Sequence, residues 1–193
     1  DKAIKEGYTF DPAPKLQKER VAIIGGGPAG LSAAYQLRKM GYASTIFEER
    51  KELGGMMRYG IPGYRTPRDL LDKEIERIIN LGDIEIVLGK RVGKDVKLED
   101  VEKSHDAVLW TIGCWNGKAI PVDGGDATNC ITGVDFLEAF CDGRLKVGSK
   151  KVICVGGGDT SIDVVSVARR LGHISKMNEQ DTPENIVHGY VAQ

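Results

Sequence analysis

A run of apolar and β-branched residues, Val21-Ala22-Ile23-Ile24, leads directly into Gly25-Gly26-Gly27-Pro28-Ala29-Gly30 and then into a helix-forming stretch. Glycines spaced G-x-G-x-x-G at a strand-to-helix turn are the layout of a dinucleotide-binding βαβ unit. Each glycine has its own task. Gly25 lets the chain leave the strand in a tight turn, Gly27 removes a side chain where backbone must approach phosphate, and Gly30 lets the helix lie close on the sheet. The helix N-terminus offers unbonded N–H groups and about half a positive charge to an anion.

With 25 glycines in 193 residues the triplet alone is weak, and context decides. The next predicted strand, Ala43-Ser44-Thr45-Ile46-Phe47, ends on Glu48, close to the ~20-residue spacing expected of the acid that accepts hydrogen bonds from a ribose. A slip of one residue in register would hand that role to Glu49. The following Glu49-Arg50-Lys51-Glu52 otherwise reads as a solvated charged loop.

A net charge of −1 gives no electrostatic footprint for nucleic acid, and 41% hydrophobic residues suffice for a buried core. The apolar runs are far shorter than the roughly 18 residues of a membrane span, and the N-terminus lacks the order of a signal peptide. A cytoplasmic location and no membrane partner are the expectations. Cys114, Cys130, Cys141 and Cys154 form no C-x-x-C pair, so no zinc site, iron–sulfur site or redox dithiol is written here, and they read as small hydrophobes. His105, His173 and His188 are isolated and receive no role.

Residues 1–20, punctuated by Pro12 and Pro14, read as an extended connector. The helix after Gly27 is expected to set Gly30, Ala33, Leu37 and Met40 inward and to stop at Gly41. A second helix opens at Thr66-Pro67, with Leu71, Ile75 and Ile78 on one side, and closes at Gly82. Residues 84–88 and 107–112 read as strands, and the alternation argues for an α/β layered sheet. A second copy of the opening pattern, Lys151-Val152-Ile153-Cys154-Val155-Gly156-Gly157-Gly158-Asp159-Thr160-Ser161, predicts another strand feeding G-x-G-x-x-S. Its helix is expected to turn Ser161, Val164, Val165 and Ala168 inward and to end at Leu171-Gly172. Two dinucleotides are implied, one per unit.

These residues, together with Gly54-Gly55-Met56-Met57-Arg58-Tyr59-Gly60-Ile61-Pro62 and Tyr64-Arg65-Thr66-Pro67, resemble the small (β) subunit of NADPH-dependent glutamate synthase and related FAD/NAD(P)H oxidoreductase subunits. The resemblance covers nearly the whole chain. It implies a Rossmann-like three-layer FAD-binding domain, incomplete, over 21–125, and the start of a second Rossmann-like NAD(P)-binding domain, truncated, over 126–193. Gly25, Gly27, Pro28, Ala29, Gly30 and Glu48 would take the FAD pyrophosphate and ribose, and Gly55, Met56 and Arg58 would line the flavin side. Val92 would meet the adenine through its backbone, and Thr111-Ile112-Gly113 would approach FAD closely. Gly156, Gly158, Asp159, Thr160 and Ser161 would hold the pyrophosphate of NAD(P)H.

The resemblance further implies hydride transfer from nicotinamide to flavin and electron exit to an iron–sulfur domain or subunit, with a larger catalytic subunit as partner. No catalytic side chain is nominated, since cofactors carry that chemistry. Several side chains keep plain alternatives. The flavin role of Arg58 is preferred over a plain surface cation, while Trp110 and Trp115 read as packing groups and Asp163 as a structural hydrogen-bonding group. The rivals at the level of function are a flavin oxidase or monooxygenase and a passive FAD- or nucleotide-binding module. Asp1 is no initiator methionine, the family's cysteine-rich N-terminal segment is missing, and fewer than the ~100 residues of a nucleotide-binding domain follow Gly156. A fragment of a longer polypeptide, inactive alone, is the expectation.

Overall fold

The computed structural model describes residues 2–11, 14–145 and 151–171. Pro12, Gly172, His173 and His188 lie outside the described residues. By its contacts the chain divides into two compact units: Asp1–Met57 with Arg68–Gly113, and Arg58–Pro67 with Cys114–Gln193. The division therefore falls at 113/114, where 125/126 is the boundary expected from sequence, and the arm 58–67 belongs with the second unit.

In the first unit a short helix α1 (Lys2–Lys5) precedes β1 (Arg20–Ile24), α2 (Pro28–Lys39), β2 (Ala43–Glu48), α3 (Met56–Tyr59), α4 (Arg68–Ile79), β3 (Ile84–Leu88), α5 (Leu98–Ser104) and β4 (Ala107–Trp110). The unit border passes through α3. All strand pairs are parallel and the order is β3-β2-β1-β4. Successive residues of β1 point to opposite faces. Ile23 joins Leu31, Ala34, Ile46, Leu71 and Ile75 on one face, while Ala22 and Ile24 meet Val101 of α5 on the other. A strand buried on both faces must be apolar throughout, which is why Val21–Ile24 shows no alternation. The result is the expected α/β three-layer arrangement.

Three sequence expectations are corrected here. The buried face of α2 is Gly30, Leu31, Ala34 and Arg38, and Met40 is 58% exposed. Ala33 and Leu37 pack against the same core as expected, and the added inward residue is Arg38, which pairs with Asp83 at 2.9 Å and donates to the carbonyls of Gly82 (3.2 Å) and Pro14 (2.8 Å). The bonds from Arg38 to Pro14 and from Gln17 N to Gly41 O also tie the N-terminal connector, which is not wholly extended, to this unit. Finally, β4 ends at Trp110, two residues short of the expected limit.

The second unit is built on α6 (Gly133–Cys141) and α7 (Asp159–Arg170). Thr132 caps α6, its hydroxyl accepting from Asp135 N at 3.2 Å. Phe136, Leu137, Phe140, Leu145, Val164, Val167 and Leu171 form the core, with Tyr64 of the arm packed against it. Two further corrections follow. Val167, fully buried, takes the inward place expected of Val165, which is 44% exposed. Residues 151–157 form no strand, since no described strand pairs with them, and Ile153 and Val155 are 89% and 72% exposed.

Candidate functional site

β1 has β2 on one side and β4 on the other, so the chain order reverses at β1 and leaves a crevice beyond the carboxyl ends of β1 and β4. The first glycine turn occupies that crevice. Gly25 has φ +111°, and a Cβ there would strike the carbonyl of Thr111. A Cβ on Gly30 would strike the carbonyl oxygen of Gly25, so α2 rests directly on the turn. Thr111 closes the crevice from the β4 side: its N–H donates to Ile24 O at 2.8 Å, and its hydroxyl reaches Ile24 O and Gly25 O at 3.0 and 2.9 Å. Gly113, two residues on, has φ +71° and is exposed.

Gly27 differs from both neighbours. It caps α2 with φ −79° and ψ −174°, a conformation open to any residue, and a Cβ there would meet nothing closer than Gly55 Cα at 3.6 Å. Neither backbone nor packing demands a glycine. No side chain caps the helix, Pro28 fills its first turn, and Pro28 and Ala29 are exposed. Facing the turn is a second glycine pair. Gly54 (φ +121°) donates to Gly26 O at 2.9 Å, and Gly55 (φ +51°) lies against Gly27 so closely that a Cβ would come within 2.6 Å of Gly27 Cα. The Gly26–Gly54 contact went unnoticed in the sequence, where the paired glycine runs were its only signal.

Glu48 ends β2 only 7% exposed. Its Oε2 accepts the N–H of Gly26 at 2.7 Å and its Oε1 that of Arg50 at 2.8 Å, which leaves each oxygen a lone pair for another donor. Glu49 points elsewhere and pairs with Arg91 at 3.3 Å on an exposed edge. Val92 bridges to Val96 and packs against the Ala22–Ile24–Val101 cluster. Met56 is half-buried.

Within the second unit, Arg58 is 8% exposed, which removes its reading as a surface cation. Tyr59 and Trp115 stack edge to face at 6.4 Å, so Trp115 is a packing group here. Asp163 is buried and pairs with Arg65 at 2.6 Å, the structural role expected of it. The hydrogen bond and charge of Asp163 raise the basicity of Arg65 further.

The second glycine turn repeats the pattern of the first. Gly156 has φ +128°, and a Cβ would come within 2.7 Å of Ser161 Oγ, the residue in the place of Gly30. Gly158 caps α7 with φ −82° and ψ 177°, no side chain caps that helix, and a Cβ on Gly157 or Gly158 would touch nothing within 4 Å. Asp159 and Thr160, at the start of α7, are exposed.

A strand-end glycine turn at the N-terminus of α2, an acid at the end of the neighbouring strand and a second glycine turn at the N-terminus of α7 are the layout of a dinucleotide-binding α/β protein. The chain belongs to the pyridine nucleotide-disulphide oxidoreductase family, whose model matches residues 19–186. It is 44% identical over 165 residues to the NADPH-Fe(3+) oxidoreductase subunit beta of Geobacter sulfurreducens, covering 82% of this chain and 24% of that protein. It is 33% identical over 189 residues to the glutamate synthase [NADPH] small chain of Mycobacterium tuberculosis, covering 91% of this chain and 38% of that one. Among solved structures, Mycobacterium tuberculosis FprA in complex with NADPH shares the fold, with TM-score 0.71, 21% identity and coverage of 80% and 36% of the two chains.

The chain thus spans between about a quarter and two fifths of the length of these proteins. Despite the family's name, the four cysteines of this chain form no disulfide and no C-x-x-C pair. No described helix is long and apolar enough to cross a membrane.

Proposed function

We propose that this chain is the cofactor-binding part of a longer flavoprotein subunit, of the glutamate synthase small-chain type, that binds FAD and passes electrons from NAD(P)H to an iron–sulfur partner. A larger catalytic subunit completes the assembly, and its setting is cytoplasmic. The observation that carries this reading is the second glycine of each turn. Gly27 and Gly158 have extended backbone that any residue adopts and space where a side chain would go, at the tips of helices without a side-chain cap. A glycine required by neither conformation nor packing is one kept bare for a group outside the chain, and a helix N-terminus suits a phosphate.

The turn of Gly25, Gly27, Pro28, Ala29 and Gly30 would hold the FAD pyrophosphate through its amides. Glu48, already oriented by Gly26 N–H and Arg50 N–H, would accept the ribose hydroxyls. Gly55, Met56 and Arg58 are assigned to the flavin side, the Val92 backbone to the adenine, and Thr111 with Gly113 to the close approach beyond β4. Glu49, engaged by Arg91, keeps only a peripheral place. Gly156, Gly158, Asp159, Thr160 and Ser161 would hold the nicotinamide nucleotide. FAD when bound supplies hydride acceptance and one-electron release. The protein's own part is binding and orientation, with no side-chain nucleophile.

The test is anaerobic addition of NADPH or NADH to the natural full-length protein. A flavin absorbance band that bleaches supports the reading. A stable yellow protein shows a passive flavin module, and a colourless one that takes up no FAD overturns both.

A further inference from the structure

The arm 58–67 leaves the first unit after Met57 and returns to it at Arg68, yet it belongs to the second unit. Three of its contacts fall on α6 and α7. Arg65 Nη1 meets Asp163 Oδ1 at 2.6 Å on α7, the Arg170 guanidinium lies 3.6 Å above the Tyr64 ring, and Cys141 Sγ donates to Ile61 O at 3.4 Å. Asp163 sits in the second turn of α7, whose first turn follows Gly158. It is 5% exposed, whereas the side chain of Arg65 is half exposed. A buried carboxylate without its partner is costly, so Asp163 holds the arm wherever α7 goes.

The upstream end of that arm is continuous with Gly54–Met57, the loop lying against Gly26 and Gly27. Whatever orders the start of α7 therefore restrains, through Asp163 and Arg65, the chain that runs back into the first glycine cradle. On the reading of the two turns as cofactor sites, we propose that Asp163 is a positioning residue that couples them: by fixing Arg65 to α7 it makes nucleotide binding at Gly156–Ser161 tighten the hold on FAD. Coupling of this kind is reciprocal, so FAD also tightens the nucleotide.

The experiment measures FAD release from the full-length protein with and without saturating oxidised nucleotide, NADP+ and NAD+ in parallel, so that no reduction intervenes. In the wild type the bound nucleotide slows release by at least about fivefold. In Asp163→Asn the nucleotide still binds, but the ratio falls below about twofold. Arg65→Ala, which removes the half-exposed partner, gives the same loss, and Arg65→Lys restores most of the coupling. A purely structural Asp163 would change melting temperature and leave the ratio intact. Equal ratios in the wild type and both disabling variants overturn the inference, as does a wild type that binds both cofactors without coupling. A wild type that binds no FAD overturns the proposed function itself, which separates the two failures.

Discussion

Glu48 Oε2 accepts the backbone N–H of Gly26 at 2.7 Å, across the gap between the end of β2 and the glycine turn after β1. The same carboxylate accepts Arg50 N–H at 2.8 Å, so one buried side chain sets two loops at once. An amide in its place would put an NH2 group against one of those N–H donors. Glu48→Gln is expected to lose about 1–3 kcal/mol of stability in urea denaturation. It should also weaken FAD binding at least about tenfold, the cost of one charged hydrogen bond. Unchanged stability and affinity would show that the carboxylate holds neither loop.

Gly30 and Gly25 are in contact through backbone alone, and no rotation relieves a Cβ placed between them. Gly30→Ala should cost about 3 kcal/mol, the upper part of the range for overpacking. A melting temperature within a degree of the wild type would contradict the close seating of α2 on the turn.

Arg38 joins α2, the turn before β3 and the connector ahead of β1 through Asp83, Gly82 and Pro14. Arg38→Met keeps the aliphatic volume and removes every one of those bonds. A loss of about 2 kcal/mol is expected, together with faster proteolysis of the first 19 residues. Wild-type denaturation with an equally resistant N-terminus would refute the role.

The Tyr64 hydroxyl is buried without a hydrogen-bond partner among the described residues, and burial raises its pKa above the ordinary value near 10, with Arg170 opposing the shift. A group that stays neutral longer in the folded state stabilises fully below the unfolded pKa and loses that contribution as pH rises through the folded one. Tyr64→Phe should be neutral or slightly stabilising at pH 7 and should flatten the decline in stability above about pH 10. A large loss at pH 7 would reveal a partner for the hydroxyl.

Local pattern carried the first unit because its signals are short-range. Val21–Ile24 followed by three glycines has one compact solution, and residues 84–88 form β3 as read. On α2 the burial of Arg38 was not legible because arginine counts as polar in any periodicity, while its partners, Asp83, Gly82 and Pro14, are distant in sequence. The same limit hid the clasp between Arg65 and Asp163, a pairing of residues 98 apart that no spacing rule reaches. Lys151–Val155 reads as a strand because its residues are those of one, but a strand exists only with a neighbour to pair with.

The central claim is that the glycine turns are bare for a cofactor's sake, and Gly27→Ala tests it most directly. The methyl group enters at ordinary contact distance from Gly55 and on permitted backbone, so stability should change by less than about 0.5 kcal/mol. The account predicts a folded full-length protein whose flavin absorbance per chain is largely lost. A variant that keeps the wild-type flavin content would contradict it.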